Sequence, residues 1–115
     1  MTPGEQLIGS ISLKDSFYDE HERRSYLLMM EVAKSIIDDP SLVKRGRRFL
    51  ERFVRDDPNQ KHAYIAWSTL LGRPSEEIAR SLLSDDERGA SLRDTAPVFV
   101  VIPPTRKRHI WSRVL

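Results

Sequence analysis

Cysteine is absent from this 115-residue chain, which excludes disulfides, thiolate metal sites and cysteine nucleophiles together. No apolar run approaches the roughly 20 residues that a bilayer span requires. The opening stretch, MTPGEQLIGSISLKDS, lacks the basic and apolar regions of a signal peptide, so the expectation is a cytoplasmic protein with no membrane partner. Glycine is sparse, and the five that occur are scattered; they build no P-loop, no GxGxxG and no nucleophile elbow. His21, His62 and His109 stand too far apart for a local metal site, and His21 with Glu22 does not place two ligands on one helical face. The expectation is a protein that is not an enzyme, with no catalytic residue, no metal and no cofactor.

What is present is charge. The chain is 39% apolar and 31% charged, with a net charge of only +2, as in a soluble globular domain rather than a disordered tail. The charges are segregated. Residues 15–22 carry four acids and no lysine or arginine, residues 41–55 carry six bases and the single acid Glu51, and residues 103–115 carry four bases and no acidic side chain. Segregation of this kind steers an acidic partner, within a reach set by screening over about 8 Å at physiological salt.

Hydrophobic spacing predicts an all-α fold, a compact bundle of four to five short helices with an extended C-terminal segment. Residues 1–15 show no sustained period and read as a flexible N-terminal arm; residues 16–94 form the helical domain; residues 95–115 form the extended, basic segment. The first helix, about 17–38, carries Tyr26, Met29, Met30, Ala33, Ile36 and Ile37 on one stripe, and Pro40 stops it. The second, about 41–55, has Leu42, Gly46, Phe49, Leu50 and Phe53 inside and Lys44, Arg48, Arg52 and Arg55 outside. The third, about 60–71, turns Ala63, Tyr64, Trp67, Leu70 and Leu71 to the core, with Gly72 as its stop. Pro74 opens a fourth, with Glu76 and Glu77 favourably placed in its first turn and Ile78, Ala79 and Leu82 pointing inward. SDDE at 84–87 reads as a capping box from Ser84 to Glu87, followed by a short fifth helix to about Arg93. The run PVFVVIPP has no second strand to pair with, so no sheet is expected.

Two binding readings follow. The stretch RPSEEIARSLL resembles the first helix of a helix-turn-helix, but the next helix would present Asp85, Asp86 and Glu87 to phosphate, which opposes binding. Nucleic acid would instead be held by Lys44, Arg47, Arg48 and Arg52 on the second helix. For a protein partner, the tail supplies apolar area together with Trp and Arg, the residues enriched at interface hot spots. Its apolar part folds back onto the core or forms a homodimer contact, while the basic part stays exposed.

The stretch HAYIAWSTLLGRPSEEIARSLLSDDERGASLRDTAPVFVV is similar to a group of short, mostly uncharacterised bacterial proteins. These run Ala-Tyr-x-x-Trp, then Leu-Leu-x-Arg-Pro, then an acidic-capped helix ending Leu-Arg-x-Ser-Ser-Pro-Phe. Ala63, Tyr64, Trp67, Leu70, Leu71, Arg73, Pro74, Leu92, Arg93 and Pro97 carry the match; Thr95-Ala96 replaces the two serines, Val98 the phenylalanine, and His109 a tryptophan. The resemblance implies an antitoxin-like protein of a toxin–antitoxin system, which neutralises a toxin enzyme by docking against it. Partner contacts would then come from Arg73, Arg93, Arg106, Lys107, Arg108, Trp111 and Arg113. A nucleic-acid-binding transcriptional regulator, with DNA as partner, is the alternative.

Overall fold

The computed structural model describes residues 2–94 together with Arg108 and Ser112. The expected extended run at 97–104 lies outside the described residues. Among those described there are helices and no strand, as the hydrophobic spacing predicts: α1 (Pro3–Ser10), α2 (Glu20–Asp38), α3 (Ser41–Phe49) continued by a π-helical turn (Leu50–Val54), a 3-10 turn (Pro58–Gln60), α4 (Lys61–Leu71), α5 (Ser75–Leu82) and α6 (Glu87–Asp94). No helix among the described residues is long and apolar enough to cross a membrane.

The helices begin where side-chain oxygens meet the orphan N–H groups of a first turn. Asp19 caps α2 by accepting from the Glu22 N–H at 2.8 Å, and Glu22 reaches back to the Tyr18 N–H at 2.9 Å. Asp39, held extended (φ −139°, ψ 84°) before Pro40, ends α2 for the steric reason that disfavours helix before proline. Gly72, at φ −82°, stops α4 without entering the left-handed region. At α6 the cap differs from the expected box. Asp86, not Ser84, accepts from the Gly89 N–H at 2.7 Å, because the helix begins only at Glu87 and Ser84 lies too far upstream to reach its first turn.

Where a flexible arm was expected, residues 3–10 form α1, packed on α2. Its signal is not hydrophobic period but close approach. A Cβ on Gly4 would stand 2.5 Å from the Lys34 carbonyl oxygen, and the Gly4 N–H donates to the Asp38 carboxylate at 2.8 Å. Ile8 is buried, with Leu7 and Ile11 packed against the core.

The core is centred on α2, which packs against both α1 and α5. Tyr26, Met29, Val32 and Ile36 from α2 meet Trp67 from α4 and Ile78, Leu82 and Leu83 from α5 and its end, all fully buried. The expected stripe of α2 is wider than predicted: Leu28 and Val32 are buried and Met30 and Ile37 only partly so. α2 takes neighbours on two sides rather than one.

A phenol holds the centre together. Tyr26, 1% exposed, donates its hydroxyl to the Leu83 carbonyl at 2.7 Å and accepts from the Lys14 N–H at 3.1 Å. Phe17 tilts against its ring at 5.6 Å, and the Arg93 guanidinium covers the ring at 5.0 Å. Arg93 also donates to the carbonyls of Leu82 (3.0 Å) and Ser84 (2.9 Å), satisfying acceptors that the end of α5 leaves open. The α6 backbone sits so close that a Cβ on Gly89 would lie 2.1 Å from the Ser84 oxygen.

The second departure from the predicted faces is the π-helical turn. The Arg55 N–H donates to Leu50 O at 2.8 Å, a five-residue step in place of four. One residue is thereby added to the turn, and at about 100° per residue every later side chain takes the face its predecessor would have held. Phe53, predicted inside, is 58% exposed, and Val54 is buried at 3% in its place.

Two stability measurements test these contacts. Tyr26→Phe leaves the Leu83 carbonyl and the Lys14 N–H without their partner, and urea unfolding should show a loss of about 1–3 kcal/mol. Val54→Ala is expected to cost about 1–3 kcal/mol and Phe53→Ala about 1 kcal/mol or less; a straight helix would give the reverse order.

Candidate functional site

The six-base segment maps onto α3 and its π-helical turn. Leu42, Gly46, Leu50 and Val54 point to the core, so the bases between them face solvent: Lys44, Arg47, Arg48 and Arg52 are all exposed. Lys44 and Arg48 are one helical step apart, about 6 Å along the axis. Arg52, a further four residues on, is exposed as well. None of the four makes an ion pair with a described residue.

The segment's own acid is turned away from them. Glu51 accepts from the Tyr64 hydroxyl at 2.5 Å and from Arg55 at 3.1 Å, tying the π-helical turn to α4. The Glu51 charge pushes the Tyr64 phenol above its ordinary pKa, chiefly through that hydrogen bond. Arg55 is held further in its charged form by Asp56 and then Glu51, and is not free for a ligand. Beside the four cations the π-helical turn exposes Phe53, its ring 5.1 Å from Phe49 and 5.2 Å from the Arg52 guanidinium. The result is a cationic ridge with an aromatic side chain already held in place at its end.

The residues expected to contact a protein partner are not brought together in this way. Arg73 is exposed, with Glu77 at 3.7 Å. Arg93, expected at the surface, instead clamps the end of α5 and covers Tyr26, because the turn before α6 leaves carbonyls that only a long, multi-donor side chain reaches. Arg108 is exposed. Arg106, Lys107, Trp111 and Arg113 lie outside the described residues. Phe53 was the functional candidate that sequence reasoning missed, since helical spacing alone counts it as core.

A concavity of about 490 Å³ lies between the start of α2 and the α5–α6 turn and is lined by Lys14, Tyr18, His21, Glu22, Asp85 and Arg93 among others. Lys14 bridges it, 2.9 Å from Glu22 and 3.2 Å from Asp85. The Lys14 hydrogen bond, with that from the Tyr18 N–H, holds Glu22 below its ordinary pKa. Asp86 is lowered by the Gly89 N–H and then by Ser84, and Lys14 is raised by Glu22 and Asp85. Among the described residues no group of three His, Asp or Glu side chains is placed to hold a metal ion.

Carboxyls depressed in the folded state stabilise it above their unfolded pKa values and cease to do so as pH falls through the folded ones. The urea midpoint is therefore expected to hold steady through neutral pH and to fall below about pH 4.5, the ordinary value for Glu22. Glu22→Gln should flatten part of that fall; an unchanged profile would remove the bridge from the stability of the fold.

No protein family, curated protein or solved structure matches the chain, and the functional reading accordingly rests on the α3 ridge itself.

Proposed function

We propose that this chain is a non-catalytic, cytoplasmic binding module that docks the α3 ridge against an acidic surface of a partner protein, in the manner of an antitoxin that neutralises a toxin enzyme. One observation carries the reading: four cations without an ion pair to any described residue stand beside an exposed phenylalanine whose ring is tilted against Phe49. Arginine and aromatic side chains are the ones that dominate interface energetics. Phe53 is held by Phe49 and Arg52 before any partner arrives, which lowers the entropy lost on docking.

The end of the ridge favours protein over nucleic acid. Asp56 is exposed, Asp57 lies next to it, and both follow directly on the π-helical turn, where a phosphate backbone continuing past Arg52 would meet like charge. A protein surface can place a lysine or arginine there. The second reading, a nucleic-acid-binding regulator, is supported by the one-turn spacing of the cations, which suits a row of phosphates.

The test is co-expression with the product of the adjacent gene. Co-purification and rescue of growth are expected for the native chain and are expected to be lost in a Lys44→Glu, Arg48→Glu, Arg52→Glu variant that keeps its helical circular-dichroism signal. Loss of rescue on deleting residues 103–115, with the charge-reversed ridge still active, would move the contact to the C-terminal segment. Binding to nucleic acid that weakens steeply with salt, with no partner protein retained, would establish the second reading instead.

A further inference from the structure

A second cationic feature is separate from the α3 ridge and takes no part in the docking reading. Arg73, Arg80 and Arg88 come from three places in the chain: the α4–α5 link, the last turn of α5 and the first turn of α6. They line one depression of about 300 Å³, together with Thr69, Ser81 and Glu77. Three guanidinium groups against one carboxylate leave the lining two charges positive.

The carboxylates nearby do not close these groups off. Glu77 is 3.7 Å from Arg73, beyond hydrogen-bond range. Glu76 takes two donors of Arg80, at 3.2 and 3.0 Å, through a single oxygen, leaving the guanidinium's remaining nitrogen. Arg88 is exposed and makes no ion pair with a described residue. Arg73 and Arg88 also stand at the starts of α5 and α6, where the helix dipole disfavours a cation. A local rule broken at an exposed position is expected at functional places in a fold, and the only offsets among the described residues are the 3.7 Å approach of Glu77 to Arg73 and the field of Asp86 on Arg88.

We propose that this depression binds the phosphate chain of a small oligophosphate ligand. Guanidinium forks match phosphate oxygens two at a time, and the hydroxyls of Thr69 and Ser81 supply further donors along the lining. Cations arriving from three separate elements suit a chain of linked phosphates better than one phosphate, since each fork can take oxygens of a different group. The volume is at the lower end of that of small-ligand sites.

The probe is sodium tripolyphosphate added to the full chain at physiological salt, read by calorimetry and by the arginine Nε–Hε resonances. Saturable binding is expected, with Arg73, Arg80 and Arg88 shifting together. Arg73→Gln and Arg88→Gln should each weaken it about tenfold, and Arg88→Lys, which keeps the charge and loses the fork, by about threefold. An Arg47→Gln, Arg48→Gln variant should bind as the native chain does, which separates this site from the α3 ridge. Circular dichroism confirms that each variant is folded. Three results would overturn the proposal: non-saturating shifts at all arginines alike, saturation centred on Arg47 and Arg48, or inorganic phosphate binding as tightly as tripolyphosphate.

Discussion

The hydroxyl of Tyr26 joins three stretches of chain that are distant in sequence. It donates to the Leu83 carbonyl at the end of α5 and accepts from the Lys14 N–H in the segment that follows α1, and its ring is the floor on which Arg93 of α6 rests. A buried phenol with both hydrogen-bonding roles filled contributes order as well as apolar area, since an unpaired group there would carry the full cost of desolvation. The segment after α1, the close of α5 and α6 all meet at that one side chain. Arg93 completes it by donating to two carbonyls across the α5–α6 turn, which is why a residue that looks like a recognition arginine belongs to the scaffold.

The π-helical turn does for the surface what Tyr26 does for the interior. One added residue keeps Val54 in the core and sends Phe53 out beside the Arg52 guanidinium. Such turns give up regular hydrogen bonding and are found at functional positions for that reason. Here the gain is a ridge of like charge with its aromatic neighbour in place, while Glu51, the acid within the segment, is held by Tyr64 and Arg55.

The cations of this protein thus divide by what they touch. Lys14, Arg23, Arg24, Lys34 and Arg55 sit against the chain's own carboxylates and Arg93 against backbone oxygens, while Arg80 faces Glu76 with one guanidinium nitrogen left over. Lys44, Arg47, Arg48 and Arg52 on one surface, and Arg73 and Arg88 on another, keep donors open to solvent. Exposed pairs of the first kind contribute little to stability; the open groups of the second kind keep their donors available to a ligand.

The all-α fold, four of the helices nearly to their ends, and the inward residues Trp67, Leu70, Leu71, Ile78 and Leu82 were legible in the sequence. Each depends on local spacing, proline stops or burial of large apolar side chains. The exposure of Lys44, Arg47, Arg48 and Arg52 was legible too, as the reverse of that spacing. Three things were not: α1, which depends on backbone contact at Gly4; the role of Arg93, which depends on carbonyls exposed by a turn; and the outward face of Phe53, which depends on a five-residue hydrogen bond. The periodicity of side chains determines which residues can be inside. Only the tertiary structure decided how backbone groups are satisfied where helices end, cross or change pitch, because those partners are backbone atoms, which every residue carries alike and which leave no periodic trace in the side chains.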